Sequence, residues 1–165
     1  MVIATENLNA PLGAEVHGID LSMPMAQSDV DVIEEAWRTR LVVVFRGQKL
    51  SDPQLLAFSK YFGELDPPGP NPYGEPYNKQ FPEINVISNV VENGKPIGGL
   101  GDGEAVWHAD MSYIDVPPKA AILHSLEDAE RWQYLFRRHV RRLRDASGRP
   151  EKGCGRQERR ARRLA

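Results

Sequence analysis

The chain has 165 residues, 41% apolar and 27% charged, one domain's length with enough apolar residues for a core. Its longest apolar run, Leu41 to Phe45, is far short of the roughly 20 residues a membrane helix needs. Met1 to Glu6 shows no basic region followed by an apolar core, and Cys154 is the single cysteine. A signal peptide, a disulfide framework and a multi-cysteine zinc site are therefore not expected, and the expected location is cytoplasmic. The net charge of −2 divides unevenly. Residues 1–127 carry 8 Lys+Arg against 18 Asp+Glu, whereas residues 128–165 carry 13 against 5, and 12 of those 13 are arginines. So sharp a break points to a basic binding tail, a second small domain, or a stretch never selected as protein.

In chain order, Ala14 to Asp20 alternates as a short strand ending in a turn. Ser28 reads as an N-cap with Asp29 and Asp31 in the first turn, and Val30, Ile33 and Trp37 recur at helical spacing, which predicts a helix over about 29–39. Leu41 to Phe45 is too short and too β-branched for a helix and reads as a buried strand. Ser51-Asp52-Pro53-Gln54 opens a second helix, with a Ser cap, Pro in the first turn and Gln three residues after the cap. Leu55, Phe58 and Phe62 form its inner stripe, and Gly63 closes it.

Asp66 to Pro76 is a loop holding five prolines, either functional or a plain connector. Ile84 to Val90 alternates as a strand. Asn93 to Gly103 contains five glycines and is expected to be mobile; it lacks the GxGxxG of a dinucleotide site. Ala105 to Tyr113 and Ala120 to Ser125 read as two more strands around the turn Asp115-Val116-Pro117-Pro118. Beyond Leu126 the β character ends. Trp132, Phe136, Val140 and Leu143 could line one face of an arginine-studded helix, and the last 18 residues read as disordered.

The most informative segment is Trp107-His108-Ala109-Asp110-Met111-Ser112-Tyr113. On a strand, residues i and i+2 share a face, so the His108 imidazole and the Asp110 carboxylate would point the same way. Two such donors suit adjacent positions on one octahedral metal. A histidine from elsewhere would complete a 2-His-1-carboxylate triad, which leaves three positions open for a co-substrate and O₂. Taken alone the pair is a weak signal, because His-x-Asp arises readily by chance.

Its context is more specific. Pro11-Leu12-Gly13-Ala14-Glu15-Val16 with Gly18-Ile19-Asp20-Leu21, then Val44-Phe45-Arg46-Gly47-Gln48, then Phe58-Ser59-Lys60-Tyr61-Phe62-Gly63-Glu64-Leu65 occur in order before Trp107 to Tyr113 and Pro117-Pro118. This series resembles the TauD/TfdA family, the taurine- and phenoxyacetate-type dioxygenases dependent on Fe(II) and 2-oxoglutarate, over roughly residues 8–127. The resemblance implies an α+β, mainly β fold: an incomplete double-stranded β-helix (jelly roll) with flanking helices. It implies that His108 and Asp110 are two iron ligands, with 2-oxoglutarate as co-substrate. The implied reaction is hydroxylation of a small organic substrate, coupled to decarboxylation of 2-oxoglutarate to succinate. Asn89 and the loop around Tyr73 fall where such enzymes contact substrate; the plain alternatives are an Asn paired within the sheet and a solvent-facing Tyr. His17 reads as structural, His124 as a packing or surface residue, and His139 and Cys154 as members of the arginine-rich stretch. Arg46 is open between a buried ion-pair partner and a surface cap.

The resemblance stops near residue 127. There the family continues with a Gly-Gly-Asp/Asn-Thr motif and a helix containing Tyr-Ala-Ala-Tyr. Further on come its distal iron-ligating histidine and its 2-oxoglutarate-binding arginine. This chain instead reads Glu127-Asp128-Ala129-Glu130-Arg131-Trp132-Gln133-Tyr134. Written with allowed codons and read one nucleotide later, Arg131 to Tyr134 spells Gly-Gly-Asn-Thr, and the stretch through Arg144 continues to Met-Tyr-Ala-Ala-Tyr-Glu. A frameshift would thus explain both the charge break and the lost motif. The expectation is a dioxygenase part over 1–127 and a non-family tail over 128–165, the whole truncated and catalytically defective. Two rivals are a nucleic-acid-binding or interaction protein acting through the basic tail, and a metal-binding structural or regulatory jelly roll.

Overall fold

The computed structural model describes residues 2–66, 76, 78–99, 107–111, 114–126 and 136. The chain divides into the units Met1–Leu126 and Glu127–Ala165, and every described residue except Phe136 belongs to the first. Strand β1 (Ala4–Asn7) runs antiparallel to β2 (Ala14–His17), pairing Ala4 with His17 and Asn7 with Ala14. In β2 the alternation read from sequence is real. Ala14 and Val16 are buried, Glu15 is half-buried, and His17 faces solvent. Gly18 ends the strand at φ +75°, where a Cβ would meet Val2 O at 2.4 Å, so only glycine fits. β1 was not foreseen, because all four of its residues are exposed and leave no apolar pattern.

Helix α1 (Gln27–Arg40) carries the chain to β3 (Val43–Val44), which lies parallel to β2 with Ala14 opposite Val43 and Glu15 opposite Val44. A helical crossover is what parallel neighbours require. The helix starts two residues before the expected position, on Ala26 rather than Ser28. The cause is tertiary: Tyr61 Oη accepts the Met25 N–H at 2.9 Å and fixes the chain just before the first turn. Leu41 closes α1 in the left-handed region at φ 69°, its N–H donating to Trp37 O. Arg40 then ties the helix end back to the sheet, donating to Gly13 O and Ala10 O at 3.1 and 3.0 Å.

Helix α2 (Asp52–Ser59) begins as its sequence predicts. Gln54 Oε1 accepts from Ser51 N–H at 2.9 Å and from Ser51 Oγ at 2.8 Å, and Pro53 occupies the first turn. A 3₁₀ turn (Lys60–Phe62) and Gly63 end it. The core gathers Val16, Leu21, Ile33 and Phe58, flanked by Ile3, Ile19, Met25, Val43, Phe45, Leu50 and Phe62. Phe58 packs edge-on against both Phe45 and Phe62, with ring centroids 5.5 and 5.2 Å away.

Beyond residue 63 the structure departs from the strand readings. Residues 84–90 keep the alternation, with Ile84, Val86 and Ser88 half-buried and Asn85, Ile87 and Asn89 exposed, yet the assigned strands are only β4 (Val91–Glu92) and β5 (Lys95–Pro96). Of the stretch 93–103, residues 100–103 lie outside the described residues; Asn93-Gly94 makes a tight hairpin turn, both residues at positive φ (50° and 74°). Ile97 N–H and Gly99 N–H extend the pairing to Val90 O and Val86 O. Of the expected strand 105–113, residues 105, 106, 112 and 113 lie outside the described residues; 107–111 and 120–125 are not assigned to a strand, and no described neighbour completes their backbone ladder. Among the described residues α1 has 14 residues and no strand exceeds four. None of the described helices is long and apolar enough to cross a membrane.

Candidate metal centre

His108 and Asp110 lie on a stretch that arrives without regular structure and turns at Asp110 and Met111. The Nε2 of His108 is 3.1 Å from Oδ1 of Asp110, and the two side chains are 73% and 60% exposed. The sequence placed this pair on one face of a strand, where the positions would stand about 7 Å apart. That figure separates the Cα positions; the side-chain tips converge to 3.1 Å. Two donors about 2.1 Å from one ion and at right angles to each other are about 3 Å apart. The pair thus has the separation of two adjacent octahedral ligands, and an imidazole with a carboxylate is a donor set that divalent first-row metals accept. Among the described residues, no further His, Cys, Asp or Glu joins them to make a group of three that could hold a metal ion.

The other candidates are placed as follows. Asn89 is exposed in the extended arm that leads into β4, and none of the described hydrogen bonds joins it to the pair. Tyr73, His139 and Cys154 lie outside the described residues. His17 sits on the sheet face between two acids, 3.8 Å from Glu6 and 3.6 Å from Glu15, and belongs to no described group of three side chains that could hold a metal ion. His124 is half-buried. The alternatives for Arg46 resolve to a surface ion pair: 70% exposed, its Nε donates to Glu15 Oε2 at 2.9 Å.

The sequence reading missed Lys119. Its Nζ pairs with Glu34 Oε1 at 3.0 Å, donates to Phe62 O at 3.4 Å and stands 5.4 Å from the Trp37 ring centroid. One side chain thereby ties the segment after Pro117-Pro118 to α1 and to the 3₁₀ turn. The only sequence signal was an isolated Lys in an acidic unit, which spacing rules do not read. Several segments of the ordered series meet in the same way. Gln48 accepts from Leu21 N–H at 3.0 Å and donates to Ile19 O at 3.2 Å, and Arg46 reaches Glu15.

The family described as "Taurine catabolism dioxygenase TauD, TfdA family" matches residues 4–131. Pentalenolactone F synthase from Streptomyces arenae is 36% identical over 120 residues, which is 72% of this chain and 39% of that protein. The alpha-ketoglutarate-dependent 2,4-dichlorophenoxyacetate dioxygenase of Cupriavidus pinatubonensis is 31% identical over 134 residues, 76% of this chain and 46% of that one. The chain therefore spans less than half the length of these curated relatives. A crystal structure of a taurine dioxygenase from Burkholderia xenovorans is 38% identical over 44% of this chain and 28% of its own, with a TM-score of 0.38.

Proposed function

Because the chain belongs to the TauD/TfdA dioxygenase family, we propose that it derives from an Fe(II)- and 2-oxoglutarate-dependent dioxygenase that hydroxylates a small organic substrate. The carrying observation is the His108–Asp110 pair, held at 3.1 Å and open to solvent. Bound there, Fe(II) with 2-oxoglutarate supplies O₂ activation coupled to decarboxylation to succinate. Of the chain's own residues, His108 contributes a neutral imidazole nitrogen and Asp110 the anionic oxygen that offsets part of the metal's charge. Exposed Asn89 is assigned to the substrate side of the site. The fold is read as the early part of a double-stranded β-helix, with α1 and α2 packed outside it.

The chain as it stands is proposed to be catalytically defective. The family match ends at residue 131, where the arginine-rich stretch begins with Arg131 and where a one-nucleotide shift spells the family's Gly-Gly-Asn-Thr. Exposed Ile122, Leu123 and Leu126 fit the same reading, as an apolar row that later strands would cover. The coding sequence and an activity assay test this together. The 165-residue chain should bind Fe(II) weakly and release no succinate from 2-oxoglutarate. A chain with the frame restored after Leu126 should release succinate, and His108→Ala or Asp110→Ala in it should abolish release and weaken Fe(II) binding by at least about 10-fold. Succinate release by the unaltered chain, or full activity of restored His108→Ala, would overturn the proposal.

A further inference from the structure

Strand β1 is the end of the three-stranded sheet, and its outer edge pairs with no described residue. The register settles which groups that edge presents. Ala14 N–H donates to Val42 O and so turns toward β3, which leaves its neighbours Gly13 and Glu15 turned toward β1. Gly13 O accordingly accepts from Leu8 N–H at 3.1 Å, and Glu15 stands opposite Glu6. Glu6 therefore directs its backbone groups at β2, whereas Thr5 and Asn7 direct their N–H and C=O groups outward. All of β1 is exposed, and such an edge is a template for one more strand.

The side chains of the same two residues face α1. Thr5 and Asn7 stand opposite buried Val16 and Ala14, and with Asp31, Glu35 and Arg40 they line a groove of about 360 Å³. Arg40 is held by the carbonyls of Gly13 and Ala10, and Glu35 pairs with Arg38 at 2.6 Å. Asp31 accepts the Gln27 amide at 2.8 Å, and no described cation pairs with it. We propose that the β1 edge docks an extended segment of a partner protein carrying Lys or Arg at alternate positions. The segment adds a fourth strand through the backbone of Thr5 and Asn7. Its basic side chains, on one face at i, i+2 spacing, enter the groove toward Asp31 and Glu35. Charge selects this occupant over a second copy. Two β1 edges paired about a two-fold axis would join two acidic grooves on one face, whereas residues 1–127, with 8 Lys+Arg against 18 Asp+Glu, attract a basic strand.

The probe is an end-blocked peptide of about seven residues alternating Thr and Lys. It is titrated into the 165-residue chain and followed by the amide resonances of Thr5 and Asn7, with circular dichroism to verify folding. It should bind saturably below about 1 mM and slow hydrogen exchange at both amides. The same peptide with Glu in place of Lys should bind at least about tenfold more weakly, as should the Lys peptide with the double variant Asp31→Asn/Glu35→Gln. Thr5→Pro deletes an outward donor, leaves the bonds to β2 intact, and should weaken binding about fivefold. Absence of saturable binding would overturn the proposal, and so would unaltered exchange at Thr5 and Asn7 with peptide bound. Full affinity in Asp31→Asn/Glu35→Gln, whose changes lie on the exposed helix surface, would also overturn it, and that arm decides even if Thr5→Pro fails to fold. A dimer in sedimentation that Thr5→Pro dissolves would assign the edge to a second copy and reject the basic partner.

Discussion

Asp20 shows how much a single local motif accomplishes. Ser22 donates to Asp20 Oδ1 twice, from its backbone N–H at 2.9 Å and its hydroxyl at 2.7 Å. The hydroxyl and then the backbone donor hold the carboxyl below the ordinary aspartate value, because both favour the charged form. A carboxyl depressed in the folded state contributes stability that is fully present above its unfolded pKa. That contribution is lost as pH falls through the folded value. Ser22→Ala should therefore raise the Asp20 titration midpoint, measured by NMR of the side-chain carboxyl, and make the Gly18–Ser22 turn open at a higher pH. A midpoint unmoved by Ser22→Ala would count against the assignment. The sequence reading placed a turn at Asp20 but not this pair of hydrogen bonds, since nothing in residue spacing says which donors point inward.

The two helices differ in how they are started. The start of α2 is built from residues adjacent in the chain, Ser51, Pro53 and Gln54, and so it was legible. Ser51→Ala removes the Oγ donor to Gln54 and should lower stability by about 1 kcal/mol in chemical denaturation; a loss under about 0.3 kcal/mol would show the box idle. In α1, Ser28 has the right chemistry for a cap, but Tyr61, 36 residues away, holds the backbone at Met25 and moves the start upstream. The hairpin β4–β5 was legible in principle through Asn93-Gly94, yet the run of glycines around it reads as flexibility. Gly98 has a different constraint: a Cβ there would lie 2.6 Å from Ser88 N and 2.8 Å from Val86 O, so the two arms pack backbone to backbone.

Over the whole described unit, burial is uneven. The buried apolar residues Ala14, Val16, Leu21, Val30, Ile33, Ala36 and Phe58 all precede residue 63. After residue 84 the large apolar side chains Ile87, Val90, Val91, Trp107, Val116, Ile122, Leu123 and Leu126 are exposed. Local stability follows packing, so hydrogen exchange should be slowest in α1 and in the β2–β3 pairing and fast over 114–126, where Lys119 is a surface tether of small worth. Slow exchange across 114–126 equal to that of α1 would contradict this distribution. Ile33→Ala, at a site 1% exposed, should cost about 2–5 kcal/mol.

What the sequence by itself determined is what neighbours along the chain decide. The α2 capping box, the alternation of β2, the Phe58 stripe and the ordered series that identified the family are all local patterns, and the first three are present in the structure. His108 and Asp110 were singled out by type and spacing. The 3.1 Å between Nε2 and Oδ1 is a distance that type and spacing do not give. The tertiary structure also decided the exposed strand β1, the start of α1, the Arg46–Glu15 pair and the reach of Lys119 across to α1. These depend on partners between 7 and 85 residues apart. Which partner a backbone N–H or a charged side chain finds at such a distance is set by how the core packs, and hydrophobic periodicity specifies only which face turns inward.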